Sequence, residues 1–216
     1  MESSSISKID LHEFVESLIK GLESKDLYTS GHSERVAHLA EKIATKMKLN
    51  TKEIFKIHIA GHLHDIGKIG IRDSVLKKKG RLTDNEYEEI KKHSMIGHDI
   101  LNKISNFKEI AQIVKYHHER YDGKGYPEGL KGDEIPLESK IIGVVDAFDA
   151  MTSPRHYRRP VTILEAIEEI NKNSGSQFDP EISQIINRIY HDNYEFLEEI
   201  VKSAYKNNNY IELICE

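Results

Sequence analysis

With 216 residues, 38% hydrophobic and 31% charged, the chain can build one well-cored domain, and its composition excludes disorder. A net charge of −5 and a pI near 6.2 exclude any general attraction to DNA, so an anionic ligand must be met by a local basic cluster or by metal. Cys215 is the only cysteine, which excludes an intrachain disulfide and suits a reducing cytosol. The start, Met1-Glu2-Ser3-Ser4-Ser5, has no secretory pattern, and the longest apolar stretch, Ile141 to Val145, is too short to span a bilayer. A cytoplasmic protein away from membranes is expected.

Apolar spacing is helical nearly throughout. Val36, Leu39, Ala40, Ile43 and Met47 define one helix face, with Thr29 or Ser30 as the expected N-cap. Asn50 to Glu53 reads as a capping box opening a buried helix that runs to Leu63, which Gly67 is expected to stop. Thr83-x-x-Glu86 and Thr162-x-x-Glu165 are further capping boxes, and Asp179-Pro180 reads as an N-cap followed by proline at the first helical position. Strand-like alternation is almost absent. The expected fold is all-α, a compact bundle of eight to ten helices.

Residues with chemistry gather where helices end. His64-Asp65 offers an imidazole and a carboxylate from one short stretch, and a carboxylate's two oxygens can bridge two ions. Pairs of ions about 3.5–4 Å apart are a common device for phosphoester hydrolysis. His93, His117-His118 and Asp146 supply further metal-ligand types. Lys68 returns to the His64-Asp65 face if the turn continues, although a basic residue at a helix C-terminus also simply complements the dipole. An acid inside Ile141-Ile142-Gly143-Val144-Val145-Asp146 is costly unless paired or metal-bound, and Asp149, three residues on, shares its face. Spacing alone does not say which of the two carries the function. His98 is expected at the surface, pointing elsewhere. His58 and His62, four apart, form a pair of the kind that binds zinc, but no glutamate base sits between them. This points to a metal-dependent phosphohydrolase.

The ordered series Asp26 to Val36, His64-Asp65-Ile66-Gly67-Lys68, Lys92-His93, His117-His118-Glu119-Arg120, Gly125-Tyr126-Pro127 and Asp146 to Ser153 with Arg155-His156-Tyr157-Arg158 resembles an HD-GYP domain. This is a subgroup of the HD metal-dependent phosphohydrolases. The resemblance implies cleavage of cyclic di-GMP to pGpG, and in many members onward to GMP. It implies metal ligands His32, His64, Asp65, His93, His117, His118 and Asp146. Asp65 would bridge two divalent ions that share a hydroxide, and Lys68 would hold the scissile phosphate or that hydroxide. Asp26, Tyr126, Arg155 and Arg158 would contact substrate. Iron or manganese is the expected metal, with nickel or zinc also compatible.

Tyr28 stands where some members place a glutamate for a third metal, so two ions are expected and the final product stays open. The family more usually has an apolar residue at the position of His62. The expected organisation is a helical extension over 1–25, the HD-GYP domain over 26–190 and a C-terminal helix and tail over 191–216. The extension is too short for the sensor or receiver domain that many members carry, so a regulatory domain would act in trans or belong to a longer protein. Two alternatives stand beside this reading: an HD phosphohydrolase for another cyclic dinucleotide or nucleotide, and a catalytically silent interaction module.

Overall fold

The computed structural model describes residues 8–23, 31–154 and 159–206. These residues contain no strand, only isolated bridges from Asp122 to Lys131 and from Ser174 to Phe178. The fold is all-α, as expected. In order the helices are α1 (Lys8–Glu23), α2 (His32–Lys46), α3 (Thr51–Leu63), α4 (Asp73–Leu76), α5 (Asp84–Lys91), α6 (His93–Leu101), α7 (Lys108–Tyr116), α8 (Leu137–Thr152), α9 (Ile163–Lys172), α10 (Pro180–Asp192) and α11 (Tyr194–Lys206). The bundle of about eight to ten helices is as expected, with α4 a single four-residue turn beside the longer helices.

The helix starts follow from their caps. Asn50 Oδ1 accepts the Lys52 and Glu53 amides at 3.0 Å while Glu53 accepts the Asn50 amide at 2.9 Å. Thr83 with Glu86 and Thr162 with Glu165 repeat the reciprocal pattern, and Asp179 accepts the Glu181 amide ahead of Pro180. Each such cap contributes roughly 1 kcal/mol.

Helix α2 starts differently. Its N-cap is Gly31, at φ 70°, with no side-chain cap of its own. The expected caps Thr29 and Ser30 lie outside the described residues. Instead Glu23, at the end of α1, accepts the Gly31 amide at 2.8 Å and the Ser33 amide at 2.9 Å. A carboxylate at a helix N-terminus also complements the dipole, so α1 clamps the start of α2.

The core joins Val36, Leu39 and Ile43 of α2, Ile57, Ile59 and Leu63 of α3, and Ile141, Ile142, Val145 and Phe148 of α8. Val15 and Ile19 of α1 and Leu197 of α11 belong to the same cluster. A fully buried isoleucine or leucine contributes about 1.5–3 kcal/mol. No described helix is long and apolar enough to cross a membrane.

Gly67 does not stop α3. That helix ends at Leu63 with His64 as its C-cap, and a 3-10 turn, Ile66–Gly70, follows. A Cβ at Gly67 would lie 1.9 Å from the His93 carbonyl oxygen and 2.5 Å from the Gly97 amide nitrogen. The missing side chain lets α6 close onto this turn, which brings His93 beside Asp65.

Candidate metal centre

The start of α2, the end of α3, the start of α6, the end of α7 and the middle of α8 converge. They bring together seven expected residues in two groups. His32, His64 and Asp146 place one ligand atom each within 4.8 Å of one another, and so do His93, His117 and His118. The Nε2 atoms of His32 and His64 are 3.2 Å apart, and those of His93 and His117 are 3.4 Å apart. Asp65 lies between the groups. Its Oδ2 is 3.4 Å from His64 Nε2 and 3.7 Å from His32 Nε2, while its Oδ1 is 3.5 Å from His93 Nε2. One carboxylate therefore turns an oxygen toward each cluster.

The second nitrogen of four of these rings is already engaged. His64 Nδ1 lies 2.8 Å from the Gly61 carbonyl, His93 Nδ1 2.7 Å from that of Ile90, and His117 Nδ1 2.6 Å from that of Val114. His32 Nδ1 lies 2.7 Å from Asp149 Oδ2. Because each Nδ1–H donates to an oxygen, Nε2 is the nitrogen directed inward, as metal ligation requires. His117 and His118 sit just past the last residue of α7, with ring centroids 4.0 Å apart, so adjacent residues reach one spot from the helix end.

The electrostatics suit a cation. Burial, reinforced by His93, takes His118 down to about 3. Burial, with His118, holds His117 well below its ordinary value, and burial lowers His93. Burial opposes the charge on Asp65, yet Lys68 and His64 keep this carboxyl well below the usual range. Asp146 is likewise held low by His32 against burial. Burial would lower His32 too, but Asp146 and Asp149 overcome it and raise this ring to about 9. The lowered rings of His93, His117 and His118 beside ionised carboxylates are a donor set for a divalent ion, which His32 joins by giving up its proton, and the residues fit one.

Lys68, on the 3-10 turn, places Nζ 2.5 Å from Asp65 Oδ2. Tyr126 packs its ring 4.8 Å from that of His118, centroid to centroid, with Lys91 Nζ 5.7 Å above it. A cavity of about 230 Å³ opens beside the site, lined by His118, Asp146, Arg120, Lys140 and Gln177 among others. Asp26, Arg155 and Arg158, the other expected substrate contacts, lie outside the described residues, as does Tyr28.

Three roles were not legible from spacing. Asp149 is no ligand candidate: it is buried and accepts from Arg35 Nε at 2.6 Å and Arg35 Nη2 at 3.1 Å as well as facing His32. Glu119, also buried, accepts the Glu128 and Gly129 amides through Oε1 at 2.7 and 3.0 Å and so ties down the Gly-Tyr-Pro loop. Gly125 lets that loop approach, since a Cβ there would lie 2.3 Å from the Arg120 amide nitrogen. Their partners are distant or follow a loop whose path no local pattern encodes. His98 is half-buried, near Asp99 at 3.0 Å and Gln112 at 3.2 Å in exposed contacts, and belongs to neither ligand cluster.

The HD domain family model matches residues 16–182. A cyclic di-GMP phosphodiesterase of Thermotoga maritima is 44% identical over 174 residues, 80% of this chain and 47% of that protein. The cyclic di-GMP phosphodiesterase response regulator RpfG of Xanthomonas campestris pv. campestris is 41% identical over 170 residues, 78% of this chain and 45% of that protein. The chain thus spans under half the length of these curated relatives. Among solved structures, a cyclic GMP-AMP specific phosphodiesterase of V. cholerae aligns with TM-score 0.71 at 23% identity, over 92% of this chain and 53% of that one, a likeness of fold. HD domain phosphohydrolases are metal-dependent, and the His/Asp clusters here are of the kind that holds metal ions. The chain belongs to the HD domain family, in the HD-GYP branch marked by its Gly125-Tyr126-Pro127 loop.

Proposed function

We propose that this chain is a metal-dependent phosphodiesterase that opens cyclic di-GMP to pGpG. Its ligands are His32, His64 and Asp146 for one divalent ion, His93, His117 and His118 for a second, and Asp65 for both. The observation that carries this reading is the Asp65 carboxylate, with Oδ2 toward His32 and His64 and Oδ1 toward His93. Paired divalent ions, when bound, supply Lewis-acid polarisation of water and of the phosphoryl oxygens.

The chain's own residues do the rest. Lys68 places a positive charge beside Asp65, where it meets the negative charge of the scissile phosphate. Tyr126 offers a ring and a hydroxyl at the mouth of the site, held by the Glu119-anchored loop. Arg155 and Arg158 supply the local positive charge that a chain of net charge −5 otherwise lacks. Arg120 and Gln177 line the adjoining cavity and suit the polar edges of a base. Iron or manganese is the proposed metal, with slow onward conversion to GMP in keeping with Tyr28.

A second reading, a different cyclic dinucleotide, draws on the 39% identity over 162 residues to a 3′3′-cGAMP-specific phosphodiesterase of Vibrio cholerae. The test is anaerobic reconstitution with Fe²⁺ or Mn²⁺ and chromatography of products from cyclic di-GMP, 3′3′-cyclic GMP-AMP and cyclic di-AMP. Fastest loss of cyclic di-GMP with pGpG accumulating is expected. Preference for another cyclic dinucleotide establishes the second reading. No turnover of any by metal-loaded protein leaves the silent module and removes the enzyme.

A further inference from the structure

A second group of histidines lies outside the centre. His12 of α1 meets His58 and His62 of α3, and one ligand atom from each falls within 4.8 Å of the others. His12 Nε2 is 2.9 Å from His58 Nε2, which is 3.2 Å from His62 Nε2. His58 and His62 are buried, at 8% and 2% exposure, while the His12 side chain is 31% exposed, so the group opens to water on one side. His62 of α3 and the C-cap His64, two residues on and still helical in its backbone angles, face roughly opposite ways at about 100° per residue, so His62 turns away from the Asp65 centre.

The geometry points to a third metal site, independent of the phosphodiesterase reading, in which His12, His58 and His62 hold one zinc-class ion through Nε2 and water completes the coordination. Two nitrogens bound to one ion at about 2.0–2.1 Å stand about 3.3 Å apart in a tetrahedron, close to the 2.9 and 3.2 Å separations here. Hydrogen bonding satisfies the group poorly. His58 Nε2 carries either one proton or one lone pair, yet it faces two other ring nitrogens, whereas a cation serves all three at once.

Carboxylates stand behind two of the rings, as they do behind many ligating histidines. Glu41 Oε2 lies 2.8 Å from His58 Nδ1, and Glu16 Oε1 lies 3.8 Å from His12 Nδ1. The Glu41 contact is off the line of the N–H, so His58 Nδ1 makes no well-formed hydrogen bond. A small rotation of either side chain on ion binding would align it. An all-imidazole set suits Zn²⁺, Ni²⁺ or Cu²⁺. Such an ion would link α1 to α3 across 46 residues of sequence, and with Glu23 it would fix the N-terminal helix to the body of the domain.

The test compares the full chain with His12→Gln and His58→Gln by equilibrium dialysis against Zn²⁺, with circular dichroism to confirm the fold. One fewer tightly bound Zn²⁺ per chain is expected in each variant. Co²⁺ substitution should show a visible absorption component in the wild type that both variants lose. Equal ion counts in the wild type and His12→Gln overturn the site, whatever His58→Gln does. The partly exposed His12 makes that variant the one that keeps its fold.

Discussion

Asp149→Asn separates a residue that positions a ligand from one that is itself a ligand. Asp149 is 3% exposed and engages three partners: Arg35 Nε at 2.6 Å, Arg35 Nη2 at 3.1 Å and His32 Nδ1 at 2.7 Å. The asparagine keeps the volume but removes the charge, and its amide nitrogen turns a donor toward a group that is already a donor. Breaking one half of a buried ion pair costs about 3–5 kcal/mol. The retained oxygen still accepts one bond from Arg35, so a loss of about 3 kcal/mol is expected in urea unfolding of chelator-treated protein. His32 loses the carboxylate that fixes its tautomer, and loss of such an outer partner typically weakens metal affinity by about 10–100-fold. Calorimetric Mn²⁺ titration should therefore show one weakened ion and one unchanged. Wild-type stability and affinity in Asp149→Asn would refute the reasoning that places Asp149 behind His32.

Asp65→Ala should leave a folded chain that loses both ions and cleaves substrate at background rate, while His98→Ala, whose partners are Asp99 and Gln112, should match the wild type in activity; full metal content with near-normal turnover in Asp65→Ala removes the bridge. Glu119→Ala strands two loop amides and should cost about 1–3 kcal/mol and raise KM with metal content unchanged. An unaltered KM would mean that the Gly-Tyr-Pro loop does not meet substrate. His32 is raised from 6.5 to about 9, so its contribution to the stability of chelated protein is complete below pH 6.5 and disappears as pH rises through about 9. The Tm of chelated protein should fall over that window, and metal uptake near pH 7 should release protons, detected by calorimetry in buffers of different ionisation enthalpy. Proton-neutral uptake would place the His32 proton elsewhere.

Local signals served where the physics is local. The caps at Asn50, Thr83, Thr162 and Asp179 open helices at Thr51, Asp84, Ile163 and Pro180 because a side chain and an amide two or three residues away settle the matter between them. The convergence of His32, His64, His93, His117 and Asp146 was legible through the family's ordered motif rather than through periodicity. A site assembled from four helix ends and the middle of a fifth helix leaves little periodic trace. What escaped was long-range. Glu23 caps α2 from another helix, Gly67 serves α6 rather than ending α3, and Asp149 answers Arg35 across 114 residues. His62, unexplained by the family pattern, acquires a setting only when α1 brings His12 against it.

The proposed two-ion centre, with Asp65 shared between the ions, is tested most directly by anomalous diffraction from crystals of Mn²⁺-loaded protein. Two peaks about 3.5–4 Å apart are predicted in the cleft. One should be ligated by His32, His64 and Asp146, the other by His93, His117 and His118, with one Asp65 oxygen on each. A single peak there, or two peaks with Asp65 touching neither, would contradict the account.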